Sequence, residues 1–233
     1  MKIGATDADF LGHTISPAGV RLNGSKVAAF TKMPMPLELK QLRSLLGGLF
    51  YYRKFLADMA TRIRPITSLM KRGVKFVFTP SMETTVRRLL EELSAPPVLV
   101  YPDWDVVADN SRPFLLYCDT SVDGFGATLE QEQKDGSIRP VVFISRATLV
   151  YERHWTPLDL EAGTIVGSIK RLRGCLWGTT FRVSSDHKAL ESLAKVTKYN
   201  PRVQRWLEFI TAYHYTLVYR KGSANGNADF LSR

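Results

Sequence analysis

The chain has 233 residues, 45% of them hydrophobic and 11% aromatic, which is apolar enough for packed cores and excludes a wholly disordered chain. At roughly 100–200 residues per domain, this length allows one or two domains. The net charge of +10 divides evenly, +5 in residues 1–110 and +5 in 111–233, so it suits a polyanionic partner over much of the surface and is not a basic tail. Apolar runs such as Val141-Val142-Phe143-Ile144 are short, whereas a membrane helix needs about 20 apolar residues. No bilayer span is expected. The opening Met-Lys-Ile-Gly-Ala-Thr-Asp lacks an apolar h-region and is not expected to be a secretory signal. Two cysteines, Cys118 and Cys175, are too few for a disulfide framework or a four-cysteine zinc site. They read as core residues of a chain in a reducing, intracellular setting.

In chain order, the first part reads as mainly helical. Leu39, Leu42, Leu45, Leu46, Leu49, Tyr52, Phe55 and Leu56 recur at the spacing of an amphipathic helix. Pro36 fits its first turn, and Gly47-Gly48 suggests a bend or close contact in its middle. Gly73 to Phe78 alternates like a short strand. Val86, Leu89, Leu90 and Leu93 predict a helix over 82–94 that stops before Pro96-Pro97. The boundary between the two parts falls near Pro102–Arg112, rich in Asp, Asn and Ser.

Beyond it, Phe114–Cys118, Gly124–Leu129 and Pro140–Ile144 read as hairpin-linked strands, the last two joined by an Asp135-Gly136 turn. A helix over 157–172, a strand over 180–184, helices over 187–194 and 201–212, and a strand over 214–220 complete the series. This order predicts an α/β fold, a mixed five-stranded sheet flanked by helices.

Four carboxylates stand out on four separate elements. Asp119 and Asp186 follow apolar strands, where ligands gather in open α/β sheets. Glu161 lies early in the long helix, and Asp229 lies near the C-terminus. Taken singly, each reads equally as a turn former, a cap or a solvated residue. Together they match the chemistry of phosphodiester cleavage, which uses two hard cations about 3.5–4 Å apart on oxygen ligands.

The words around these acids carry a resemblance. Phe10-Leu11-Gly12-His13, Tyr51-Tyr52-Arg53-Lys54-Phe55, Ser94-Ala95-Pro96-Pro97-Val98-Leu99 and Tyr101-Pro102-Asp103 are similar to the stretch between polymerase palm and ribonuclease H in gypsy-type LTR retrotransposon polyproteins. Asp119-Thr120-Ser121 with Gly124, Gly126, Ala127 and Leu129 resembles that family's first ribonuclease H motif. Ser145-Arg146 and Glu152-Arg153 resemble the approach to Glu161, and Ser185-Asp186-His187-Lys188-Ala189-Leu190 the third motif. Arg205-Trp206-Leu207 and Tyr219-Arg220-Lys221-Gly222, running to Ala228-Asp229-Phe230-Leu231-Ser232-Arg233, resemble the last.

The resemblance implies that residues 1–105 are the end of a palm plus a thumb or connection region, and residues 106–233 a ribonuclease H-like domain. It implies Asp119, Glu161, Asp186 and Asp229 as catalytic ligands of two Mg²⁺ ions, with Mn²⁺ as substitute. RNA–DNA hybrid and other duplexes are the implied partners, contacted by Tyr51, Tyr52, Arg53, Lys54, Arg146, His187, Lys188, Arg220 and Lys221. The setting it implies is a cytoplasmic retroelement particle or the nucleus, with no membrane and possibly with the rest of a polyprotein.

Departures from the family pattern qualify this. The polymerase aspartates belong upstream of Phe10, so no polymerase site is expected. Pro157, Gly163 and Gly167 look unfavourable around the Glu161 helix, as drift in a decayed copy would. Arg220 and Lys221 lead into Gly222 where retroviral relatives carry a mobile histidine. His13, His154 and His214 have no ligand spacing. A non-catalytic nucleic-acid-binding relic and an interaction module of a retroelement assembly are the competing readings.

Overall fold

The computed structural model describes residues 6–95, 98–185 and 201–219. The expected helix over 187–194 and the segment holding Asp229 lie outside these. Among the described residues, no helix is long and apolar enough to cross a membrane.

The N-terminal part opens on an antiparallel meander, β1 (Ala8–Phe10), β2 (His13–Ser16) and β3 (Gly19–Leu22), where the sequence predicted mainly helix. The β1–β2 turn is Leu11-Gly12, both at positive φ (47° and 79°). That is the two-residue hairpin geometry whose usual signature is Asn-Gly or Asp-Gly, and leucine in the first position hides it. Helix α1 (Gly24–Thr31) follows, with the Asn23 side chain accepting from the Ser25 amide.

Helix α2 (Leu39–Tyr51) buries Leu42, Leu45, Leu46 and Leu49. It continues without a break through Gly47-Gly48, where the Phe30 ring lies beside Gly48, and ends at Tyr51; a 3-10 turn over Arg53–Phe55 carries the apolar pattern on through Phe55 and Leu56. Two short helices, α3 (Met59–Arg62) and α4 (Arg64–Ser68), lead to α5 (Pro80–Ser94). Pro80 occupies the first turn of α5 and Thr79 caps it, with Val86, Leu89, Leu90 and Leu93 buried.

Residues 73–78 are not a strand. Phe76 and Phe78 pack on the N-terminal core while Val74 and Val77 stay exposed, so the alternation reflects burial on one side without a ladder partner.

After a short α6 (Trp104–Ala108), the C-terminal part builds one sheet from β4 (Phe114–Thr120), β5 (Gly124–Glu132), β6 (Ile138–Ala147), β7 (Thr180–Ser185) and β8 (His214–Tyr219). Its order is β6-β5-β4-β7-β8, antiparallel among β4, β5 and β6 and parallel from β4 to β7 to β8. This is the mixed five-stranded sheet the element order predicted. Helix α7 (Pro157–Arg171) packs on it, followed by α8 (Arg173–Leu176) and α9 (Pro201–Thr211).

Pro157 begins α7, where its missing N–H costs nothing, and the Thr156 hydroxyl accepts from the Asp159 amide. Gly163 is a packing requirement and not decay, because a Cβ there would stand 2.9 Å from the Trp155 ring and 3.4 Å from Trp206. No neighbour among the described residues constrains Gly167 in this way.

Each part has its own core, one from Leu22 to Leu99 and one from Val107 to Tyr213. Adjacent residues join them. Leu99 exchanges two backbone hydrogen bonds with Val20 of β3 (2.8 and 3.0 Å), and the Val100 amide donates to the Pro140 carbonyl of β6 (2.9 Å).

Candidate active site

Strand β4 alternates strictly. Phe114, Leu116, Cys118 and Thr120 share the face covered by α7, so Asp119 shares the opposite face with its cross-strand partner Gly126 and, one strand further, Ser145. Glu161 sits in the second turn of α7 and is only 7% exposed. One turn later the Thr164 hydroxyl meets the Thr120 hydroxyl at 2.8 Å, tying this helix to the end of β4 that carries Asp119.

The two carboxylates are close enough to act on a third group. Burial pushes the Cys118 thiol up to about 12; the Asp119 and Glu161 charges add to that rise, and a hydrogen bond with Ser168 opposes it. Cys118 is therefore a core residue, as expected. Asp186 and Asp229 lie outside the described residues, as do His187, Lys188, Arg220 and Lys221. Among the described residues no group of three His, Cys, Asp or Glu side chains is arranged to hold a metal.

The loop after Asp119 is held from both sides. The Ser121 hydroxyl accepts from the Gly124 amide (3.0 Å), and the Ser121 amide donates to the Gly124 carbonyl (2.9 Å). From the N-terminal part, Arg64 donates to the Asp123 carbonyl (2.5 Å) and the Thr148 hydroxyl (2.9 Å), and pairs with the Asp123 carboxylate (3.2 Å). Arg153 also pairs with Asp123.

A fifth carboxylate, absent from the sequence reading, comes from the same side. Asp58 precedes α3 in a left-handed conformation (φ 43°), and its Oδ1 accepts from Thr61 (2.8 Å). Burial raises its carboxyl to about 6; the Thr61 hydrogen bond and Arg62 oppose the rise and the Asp119 charge adds to it. Nothing in the sequence around Asp58 marks it, since its approach to Asp119 depends on a contact between residues 61 positions apart.

Two sequence expectations meet different surroundings. Tyr51 is 52% exposed, whereas Tyr52 does not present an open ring. Tyr52 is 4% exposed, its hydroxyl donates to the Gly12 carbonyl (3.4 Å) and that of Tyr51 to Leu11 (2.9 Å). Both rings pack on His13, so they brace the β1–β2 turn. Arg53 stays exposed and Lys54 lies against the Phe55 ring. Arg146 makes a bidentate pair with Glu152 (2.7 and 2.9 Å) and stacks on Phe125 at 4.4 Å. Burial would raise the Glu152 carboxyl, but Arg146 and the Leu149 amide hold it below the usual carboxylate range. Both tyrosines and Arg146 thus have structural partners already.

Sheet order, the placement of Asp119 and Glu161 about Cys118, and the loop around Ser121 point to a class. Residues 109–213 match the family of RNase H-like domains found in reverse transcriptase. The chain's homologues are retrotransposon polyproteins. Over 97% of its length it is 32% identical to the retrovirus-related Pol polyprotein from transposon 297 of Drosophila melanogaster, covering 20% of that protein. It is 30% identical over 96% of its length to the Tf2-3 polyprotein of Schizosaccharomyces pombe, covering 17%. The chain thus spans about a fifth of the length of these curated relatives.

Among solved structures, a foamy viral protease-reverse transcriptase in complex with an RNA/DNA hybrid superposes with a TM-score of 0.73 at 21% identity. That match covers 93% of this chain and 29% of that one. It extends the shared fold across both parts of the chain.

Proposed function

We propose that the chain is a metal-dependent ribonuclease H that cleaves the RNA strand of RNA–DNA hybrids. Residues 106–233 carry the reaction, and residues 1–105, the end of a palm with a thumb or connection region, grip the duplex. The observation that carries this is the placement of Asp119 at the end of the central strand and of Glu161, 7% exposed, on the helix packed against that strand, with both charges reaching Cys118.

The donor set fits the metal. Carboxylate oxygens are what hard divalent cations take, and Asp119 and Glu161, joined by Asp186 and Asp229, would hold two Mg²⁺ or Mn²⁺ ions. Bound there, such ions supply Lewis acidity toward a phosphodiester and neutralise charge on the departing oxygen. The chain's own residues do the positioning. The Thr120–Thr164 contact fixes the two elements that carry Asp119 and Glu161, and Ser121 and Arg64 order the loop beside them. The overall charge of +10 favours a polyanionic duplex, with affinity that falls as salt rises. The foamy viral neighbour, whose structure contains an RNA/DNA hybrid, supports the choice of substrate. The natural setting would be a longer retroelement polyprotein.

Labelled RNA in a hybrid should be cut with Mg²⁺ and not with EDTA, while single-stranded RNA and duplex DNA survive. Asp119→Asn, which removes a ligand and little volume, should abolish cleavage and keep the fold and low-salt hybrid binding. Equal cleavage by wild type and Asp119→Asn would sink the assignment.

A further inference from the structure

Gly124 and Gly126 belong to the same motif and lie on the same face of β5, yet their surroundings differ. Neither has positive φ, so the backbone requires glycine at neither. A Cβ on Gly126 would find ordinary contacts, 3.5 Å to Asp58 Oδ1 and 3.8 Å to the Asp119 carbonyl. A Cβ on Gly124 would stand 2.1 Å from Thr61 Oγ1, 3.3 Å from Thr61 Cβ and 3.2 Å from the Arg146 carbonyl. What excludes a side chain at Gly124 is chiefly one hydroxyl from the N-terminal part.

That hydroxyl belongs to a docked segment. Helix α3 has four residues, far too few to be stable alone. Amides of a first helical turn have no acceptor within the helix, and the Ala60 amide finds one in the Ser145 hydroxyl of β6 at 3.1 Å. Thr61 Oγ1 is held in place by Asp58. Arg64, just beyond α3, reaches the loop that joins β4 to β5 directly after Asp119.

We propose that Gly124 is a socket for the Thr61 hydroxyl, and that the segment Asp58–Arg64, seated there, positions the Asp119 end of the sheet. Thr61 and Gly124 are then positioning residues. Their effect on cleavage rests on the nuclease reading above, whereas the docking itself does not.

The full chain tests this with Gly124→Ala, Gly126→Ala, Thr61→Ala and the double variant Gly124→Ala/Thr61→Ala. Two readouts are needed, hydrogen exchange at the Ala60 amide and steady-state cleavage of a hybrid. Gly124→Ala should speed Ala60 exchange by roughly tenfold or more. It should also lower kcat roughly tenfold to a hundredfold, as small misplacements of reacting groups do, with KM little changed. Gly126→Ala should stay within about twofold of wild type. The double variant removes the atom at 2.1 Å and should recover both readouts toward those of Thr61→Ala.

The proposal is overturned if Gly124→Ala leaves Ala60 exchange unchanged, if Gly126→Ala does equal damage, or if the double variant recovers nothing. Should Gly124→Ala fail to fold, recovery in the double variant still decides. Should the wild type cleave no hybrid, the nuclease reading fails and Ala60 exchange alone judges the socket.

Discussion

The face of the sheet that carries Phe114, Leu116 and Cys118 meets α7 through an apolar layer including Ala162, Ile165, Val166 and Ile169. The face that carries Asp119, Gly126 and Ser145 meets residues 58–64 through a hydroxyl, an amide and a guanidinium, with Phe143 adding apolar contact to the N-terminal core. One face is held by burial, which has no directional preference. The other adds directional bonds, which fix orientation as well as distance. A carboxylate that must be placed within fractions of an ångström is better served by the second kind of support.

The largest effect should come from opening the apolar face. Phe114 is fully buried, and Phe114→Ala should cost about 3–5 kcal/mol through lost transfer energy and the cavity left behind. Urea denaturation measures this, and a loss below about 1 kcal/mol would mean that the layer is not the main support of the sheet.

A smaller effect, on the polar face, depends on pH. The folded carboxyl of Asp58 sits at about 6, above its ordinary 3.8, so between those values the folded state binds more protons than the unfolded one. Stability from this group is therefore gained as pH falls from about 6 toward 4 and lost as it rises. In EDTA, going from pH 7.5 to 4.5 should stabilise wild type relative to Asp58→Asn by about 2 kcal/mol. A difference that does not change with pH would show that Asp58 is better solvated than the packing implies.

The smallest effect is a silence. With its thiol at about 12, Cys118 should resist iodoacetamide at pH 8 in the native chain, while the half-buried Cys175 reacts slowly. Rapid labelling of Cys118 would mean that the apolar face opens frequently.

The same contrast explains what the sequence disclosed. Apolar periodicity located α2, α5, α7 and the strands from β4 on, because burial on one face imposes a period that can be read locally. It misled at 73–78, where burial on one side occurs without a ladder, and missed β1–β3, whose tight turn uses Leu11-Gly12. Gly163 looked like decay because only the folded chain brings Trp155 and Trp206 against it. Asp119 and Glu161 were singled out by the words around them. Asp58, Thr61 and Arg64 were not, since each acts on residues far along the chain through geometry that leaves no local pattern.

The passage from Leu99 to Val100 has a mechanical consequence. One residue is bonded to β3 and the next to β6, so a single peptide unit spans the two sheets. Hinges absorb rotation over a few residues free to change φ and ψ, and here that slack is missing. Torque applied to the N-terminal part by a bound duplex would reach the carboxylates as if through a welded joint.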